Sequence, residues 1–456
     1  MCLSHCWGLH RPIQTTRTNL DMHIGGIPFL EIPTTFRDFF QVARFLNIRF
    51  VWIDSLCIVQ DDPEDWLVEA GRMVGIYSNS HLTVCATMSE DSRGGLFREL
   101  PSGDSPFTER RVPSAFTGGV DMWYRHRLDH EGLVKLNDPG IPEEARHPPH
   151  LPLLSRAWTL QEHLLSPRVV HFTAWEVVWD CSVGLQCLCS SPAAPRITTA
   201  RAKYASLLAD SSPSRMYTYW QELVQMYSPR KLTKPSDRLI ALSGIARQIQ
   251  DAFGDEYLAG TWRASLPNAL MWTRVRGSTE QELDENEDGL PKHEYLAPSW
   301  SWASINQPVS YEYASKLVDR DLHDFRLLDA YCRANAMDHT GAVNDGFLRV
   351  RGRVLTCNLT SYDGHRVSAT GAGFKLNFIP DERAWMAQTE LDSFYCLHLG
   401  SGNQIGAAHP YGMHYFMIME LLERKGTYVR RGLAELYTEQ IEDVLANAVL
   451  QELTIV

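Results

Sequence analysis

The sequence predicts an α/β fold: a largely parallel sheet with flanking helices, then a helical segment, then a C-terminal β-rich domain. Three observations carry that expectation. From Phe50 to Ala86 an apolar run, an acidic turn, an amphipathic helix, a second turn and a second apolar run follow one another, the order of a βαβ unit. From Arg196 to Phe253 large apolar residues recur at helical spacing. From Phe347 onward short alternating segments are separated by Gly and Asp, the pattern of antiparallel strands.

The chain opens on CLSHCWG at 2–8, a short apolar piece ending in a polar turn. A chain that begins inside a strand implies a short first strand or a natural start further upstream. Arg11 to Gly26 is polar and reads as a loop. A helix is expected after Pro33, capped by Thr34 or Thr35, with Phe36, Phe39, Phe40, Ala43 and Leu46 on or near one face. Phe50–Ile53 has no polar alternation, so a strand buried on both faces is expected, with the Asp54 carboxylate at its C-terminal end. In open parallel sheets that edge is where ligands bind. Asp61 or Asp62 can cap the next helix, whose first turn holds Pro63, Glu64 and Asp65. Trp66, Ala70, Met73 and Tyr77 give it one apolar face, and Leu82–Ala86 is the following strand.

Residues 88–150 break the pattern and read as a long surface excursion, with strand-like pieces such as Val120–Tyr124. Order returns with a helix from about Trp158 to Leu165, stopped by Pro167, and strands Val169–Phe172 and Glu176–Asp180. In the middle, Tyr204, Leu207, Leu208, Trp220, Leu223 and Tyr227 mark helices, and Ser236 or Asp237 can cap one. The acidic run Thr279–Asp288 reads as a solvated loop. APSWSWAS at 297–304 alternates Trp300 and Trp302 with Ser like a half-buried strand of packing residues. The expected division is 1–172, with its insertion around 88–150, then 173–294 and 295–456.

At 456 residues the chain exceeds one ordinary core, and 44% apolar residues suffice to bury several. A net charge of −12 argues against a nucleic-acid or anionic-membrane surface, which needs a basic face. No apolar run reaches the length of a membrane span and the N-terminus lacks a signal-peptide core, so an intracellular, cytoplasmic protein is the default expectation. The ten Cys are mostly scattered in apolar contexts and read as reduced thiols. There is no GxGxxG, GxxxxGK[ST] or HExxH, which sets aside the common dehydrogenase, P-loop and zinc-protease patterns.

CLSHCWG at 2–8, the helix before the second strand and VWIDSLCIVQDDPEDWLVEAGRMVGIYSNSHLTVCA at 51–86, continued by RAWTLQEHLLSPRVVHF at 156–172, together resemble the fungal heterokaryon-incompatibility (HET) domain family. SDRLIALSGIA at 236–246 and APSWSWAS resemble segments that often follow the domain. The resemblance implies non-self recognition and programmed cell death signalling in a filamentous fungus, through self-association or a protein partner. The family is in turn thought similar to Toll-type (TIR) domains, which implies a flavodoxin/TIR-like fold. CLSHCWG resembles the first TIR box, WIDSLCI the second, and SRAWTLQEHL the stretch of TIR enzymes in which a Glu stands four residues after a Trp. In NAD-cleaving TIR proteins that Glu is catalytic, and the matching residue here is Glu162. The second implied reading is therefore an NAD glycohydrolase with NAD as substrate, no cofactor and no metal, with Glu162 catalytic.

The residues themselves leave each role open. Glu162 lies one helical turn after Trp158, so both project to the same side, and a partly desolvated carboxylate there could stabilise an oxocarbenium-like transition state. It could equally form an ion pair with Arg156 or Arg168. Asp54 could orient a ribose or receive amide hydrogens from its own loop. Ser4, His5, Trp7 and Gly8 follow the first strand at the same sheet edge; Trp7 could stack on a base or close the core, and Gly8 allows close backbone approach. Cys57 with His5 is a weak nucleophile–base pair, and Cys181, Cys187 and Cys189 lack the paired spacing of a zinc site.

Overall fold

The structure, a computed structural model, describes residues 1–8, 12–97, 110–112, 122–124, 151–174, 176–187, 198–210, 212–275, 295–314, 317–319, 324–335, 338–362, 367–371, 374–382, 394–402, 412–422, 426–438 and 441–456. The chain divides into two compact units, Met1–Ser211 and Ser212–Val456.

The first unit opens with β1 (Cys2–Ser4). A loop with a short helix, Leu20–Gly25, leads to α1 (Thr34–Phe45). Pro33 occupies the cap position of α1, because the helix already includes both threonines; Thr35 Oγ1 instead accepts the Gly95 N–H at 3.0 Å. Phe36, Phe39 and Ala43 are buried, whereas Leu46, just past the last turn, is 40% exposed.

The segment Phe50–Ile53 runs beside β1, with Trp52 N–H donating to Met1 O and Leu3 N–H to Trp52 O, but the pairing is a single bridge. Burial on both faces holds only for Ile53; Phe50 is 81% exposed. The reason is its place at the sheet edge, with a partner on one side only. Asp54 follows it at the start of a short helix, Asp54–Cys57. Asp62 caps α2 (Pro63–Ser78) by accepting the Glu64 and Asp65 amides, and Ala70, Met73 and Tyr77 are buried on its inner face.

Next come β2 (Thr83–Cys85), α3 (Trp158–Leu165), β3 (Arg168–Phe172), β4 (Val177–Cys181), β5 (Gly184–Cys187) and α4 (Ala200–Ala209). Of the excursion at 88–150, most lies outside the described residues; strands Arg110–Val112 and Met122–Tyr124 pair antiparallel. The acidic run 279–288 and Cys189 also lie outside them.

The sheet runs β1-β2-β3-β4-β5, parallel across the first three strands and antiparallel across the last two, so it is mixed. Counting the bridged segment at Trp52, the parallel part has the spatial order second, first, third, fourth along the chain, a doubly wound arrangement with its switch point between the first and third. Because parallel partners in register share a face, Leu3, Val84 and Val170 form one row and pack with Phe36 and Phe39 of α1. Ser4, Cys85 and His171 form the next row, on the opposite face. That row is polar, although all three residues are buried.

In the second unit α5 (Pro213–Tyr227) and α6 (Ile240–Phe253) precede the strands. No side chain caps α6; Ser236 and Asp237 sit in a separate 3-10 turn, Pro235–Asp237. APSWSWAS is not a strand. Ser301 caps a 3-10 turn, Trp302–Ser304; both indoles are buried as expected of packing residues, but Ser301 between them is buried too, its hydroxyl donating to Ala259 O. The Trp220 and Trp302 Nε1–H groups both donate to Gly260 O, at 2.8 and 2.7 Å. Gly260 has φ +101°, and a Cβ there would stand 2.6 Å from Trp302 Nε1, so a side chain does not fit.

The strands that follow are β6 (Arg326–Ala334), β7 (Val343–Tyr362), β8 (Val367–Gly371), β9 (Phe374–Pro380), β10 (Phe394–Gly402), β11 (Gly412–Leu421), β12 (Thr427–Thr438) and β13 (Val449–Ile455). Pairing runs β10-β11-β12-β9-β8-β7 and returns to β10, all antiparallel, so the sheet closes into a barrel. The 20-residue β7 makes closure possible, because successive stretches of it pair β6, β13, β10 and β8. Buried alternate residues such as Leu355, Cys357, Phe378, Phe394 and Phe416 fill a common core.

Candidate functional site

The carboxyl ends of the parallel strands gather polar groups beneath α3. Ser4 ends β1 and Cys85 ends β2. Trp158, Glu162 and His163 belong to α3, and Ser166 just beyond it bonds Thr83 Oγ1 at 2.6 Å, tying the helix to β2. The Ser166 hydroxyl also reaches Glu162 O at 2.6 Å.

Glu162 is 5% exposed. Burial raises its carboxyl to about 7, with the nearby Asp54 charge pushing the same way; Arg156 and the Ser4 and Tyr77 hydroxyls pull it down. The Ser4 hydroxyl leans toward Glu162 without a full hydrogen bond of its own. Among the described residues no ion pair closes on Glu162. Arg168 donates to His81 O at 2.7 Å, and Arg156 Nη1 donates to His5 O, so Arg156 acts on the carboxylate through space.

Asp54 sits beside this group. Its Oδ2 accepts the Trp7 Nε1–H at 2.9 Å, its Oδ1 accepts the Ser55 amide at 2.7 Å, and His5 Nδ1 stands 3.7 Å from Oδ1. Burial lowers His5 to about 4, so the ring is neutral near pH 7, and it packs edge-on against Phe36. Cys57 is exposed at the end of the short helix, away from that packing.

Structure and sequence thus place Ser4, Trp7, Asp54 and Glu162 at one sheet edge. Trp158, one turn before Glu162, is half-buried and meets Trp66 edge-to-face at 6.1 Å. Gly8 turns elsewhere: at φ +66° it abuts the Glu90–Asp91 backbone, where a Cβ would come within 2.5 Å of Asp91 Cβ. Arg156 and Tyr77 join the site without having been singled out as site residues. Tyr77 reads in sequence as a core aromatic, and only the packing of α2 against α3 shows that its hydroxyl meets Glu162.

A second group adjoins the first. Cys85 Sγ lies 3.1 Å from His163 Nε2, and the His163 and His171 rings meet edge-to-face at 5.1 Å. One ligand atom from each of Cys85, His163 and His171 lies within 4.8 Å of the others. Spacing hides this trio: 78 residues separate Cys85 from His163. Cys181 and Cys187, by contrast, lie opposite other residues of the β4–β5 hairpin, Gly184 and Val178.

A doubly wound α/β domain with a buried carboxylate and a polar row at its strand ends is the class that fold and site define. Residues 1–162 match the family model described as Heterokaryon incompatibility protein (HET). Comparison with curated proteins and with solved structures gives no match. Among the described residues no helix is long and apolar enough to cross a membrane.

Proposed function

We propose that this HET-domain protein acts in fungal non-self recognition and programmed cell death signalling, by self-association or by binding a protein partner through the HET domain, in the cytoplasm. The observation that supports a protein contact is the end of α1, where Phe45 is 88% and Phe50 81% exposed, with Leu46 between them. Exposed aromatics so close in sequence are costly in water and suit a surface that is covered in a complex. The expected result is concentration-dependent association of the purified chain in light scattering, abolished by the double substitution F45E/F50E with the melting temperature retained. A wild type that stays monomeric and captures the same proteins from fungal lysate as F45E/F50E sinks this reading.

Glu162 supports a second reading, an NAD glycohydrolase of TIR type. The enclosed carboxylate, flanked by Ser4, Tyr77 and Asp54, suits stabilisation of positive charge on a ribosyl carbon. In that reaction the ribosyl C–N bond breaks, its electron pair leaves with nicotinamide, and water adds to the ribosyl carbon with loss of a proton. Trp7 and Trp158 would line the substrate side, whereas Gly8, packed against Glu90 and Asp91, would not. Because Glu162 is almost fully enclosed, NAD reaches it only when neighbouring side chains give way. Nicotinamide release by wild type should fall about a hundredfold or more in E162Q that melts like the parent. Equal release by the two proteins, or none from wild type at high concentration, removes the enzyme reading.

A further inference from the structure

We propose that Cys85, His163 and His171 form a binding site for a zinc-class divalent metal ion, with three protein ligands and one open position. The inference does not depend on either functional reading above. One thiol and two imidazoles are the donor set of borderline-soft metals, and zinc sites with three protein ligands keep the fourth position for water or substrate.

The fold builds the trio. Cys85 and His171 are direct partners across parallel β2 and β3, so their side chains leave the same face of the sheet. His163 comes down onto that face from α3, and its Nε2 is already 3.1 Å from Cys85 Sγ. In a tetrahedral zinc site the donor atoms stand roughly 3.3–3.6 Å apart, from bond lengths of about 2.3 Å to sulfur and 2.0–2.1 Å to nitrogen. The present spacing, within 4.8 Å throughout, reaches that by small side-chain rotations.

The groups behind the trio point the same way. Thr87 Oγ1 donates to Cys85 O at 3.3 Å and lies 3.0 Å from His171 Nδ1. With its hydrogen spent on the carbonyl, the hydroxyl accepts from Nδ1–H, which leaves the Nε2 lone pair for a metal. A metal-bound imidazole with its other nitrogen held in this way is the usual outer-shell arrangement. Arg201 is the nearby positive charge, and Asp180, 3.5 Å from its Nε, offsets it. An ion here would pin α3 to β2 and β3, one residue from Glu162.

The test uses the whole chain, stripped with chelator and dialysed against zinc, then against cobalt as a spectroscopic stand-in. Expected are one zinc per chain, a thiolate-to-cobalt charge-transfer band, and a higher melting temperature with metal. The band should vanish in C85S and persist in C181S/C187S. H171Q should weaken zinc binding at least about tenfold, and T87V, which touches no ligand atom, by about 10–100-fold. T87V and H171Q keep the test decisive should C85S fail to fold. No zinc uptake by wild type, a cobalt spectrum without the thiolate band, or affinity unchanged in H171Q overturns the proposal and leaves a buried thiol–imidazole hydrogen bond.

Discussion

Replacing Arg430 by Ala should cost the second unit about 3–5 kcal/mol, the usual effect of stripping one partner from a buried charge pair. Arg430 is 2% exposed. Its Nε donates to Asp381 Oδ2 at 2.9 Å, Nη1 to Leu270 O, and Nη2 to Trp272 O at 2.6 Å, while the guanidinium lies 3.6 Å from the centre of the Trp272 ring. One side chain on β12 therefore ties the barrel to the segment that precedes it. Alanine would leave Asp381 buried and unpaired and two carbonyls without donors. Lysine could not rescue this, because a single ammonium lacks the planar fork that serves three acceptors at once. Urea unfolding followed by tryptophan fluorescence is the measurement. The double substitution R430M/D381A should recover much of the loss, since it removes both charges together. A loss under about 1 kcal/mol in R430A would show that the pair contributes little.

Acid should destabilise the same unit well above the range where carboxylates titrate. His398 on β10 and His414 on β11 are buried, their rings 5.6 Å apart, and His398 also meets Phe416 at 5.0 Å. Burial lowers both to about 4; His398 is pushed down further by His414 and Arg353, while Asp324 and a backbone bond at Gly400 oppose the shift. Since the folded value lies below the ordinary 6.5, the unfolded chain takes up protons first. Stability is then fully present above pH 6.5 and is lost as pH falls toward 4. A shift of that size corresponds to about 3 kcal/mol for His398, with a smaller share from His414. Melting temperatures between pH 7.5 and 4.5 should fall steeply in wild type and more gently in H398Q/H414Q. Parallel curves for the two proteins would mean the imidazoles accept protons without unfolding.

Much of the first unit was legible because its signals are local. Asp62 before Pro63, and Ala70, Met73 and Tyr77 at helical spacing, specify α2 through capping and one-sided burial. The helix Trp158–Leu165 falls where its apolar spacing and Pro167 place it. The misreadings arise where neighbours decide. Phe50 resembles a core strand residue and is exposed because that segment has one partner. Trp300 and Trp302 are buried packing residues, as their alternation with serine suggests, but Ser301 between them is buried as well, because the segment is a turn that this serine caps and not a strand with a polar outer face.

The same division applies to the site. The motifs around Ser4, Asp54 and Glu162 could be found in the sequence because each sits at the end of its own strand or one turn into its own helix. Whether Glu162 would meet Arg156 in an ion pair, or lie enclosed with Ser4 and Tyr77, depended on how α2 and α3 pack on the sheet. The Cys85–His163–His171 group was invisible for a related reason: strand register and helix docking bring together residues far apart in the chain. In the C-terminal region, alternation alone determined that there would be strands. Closure into a barrel was decided by pairing along the length of β7, a long-range choice of hydrogen-bond partners that no local pattern encodes.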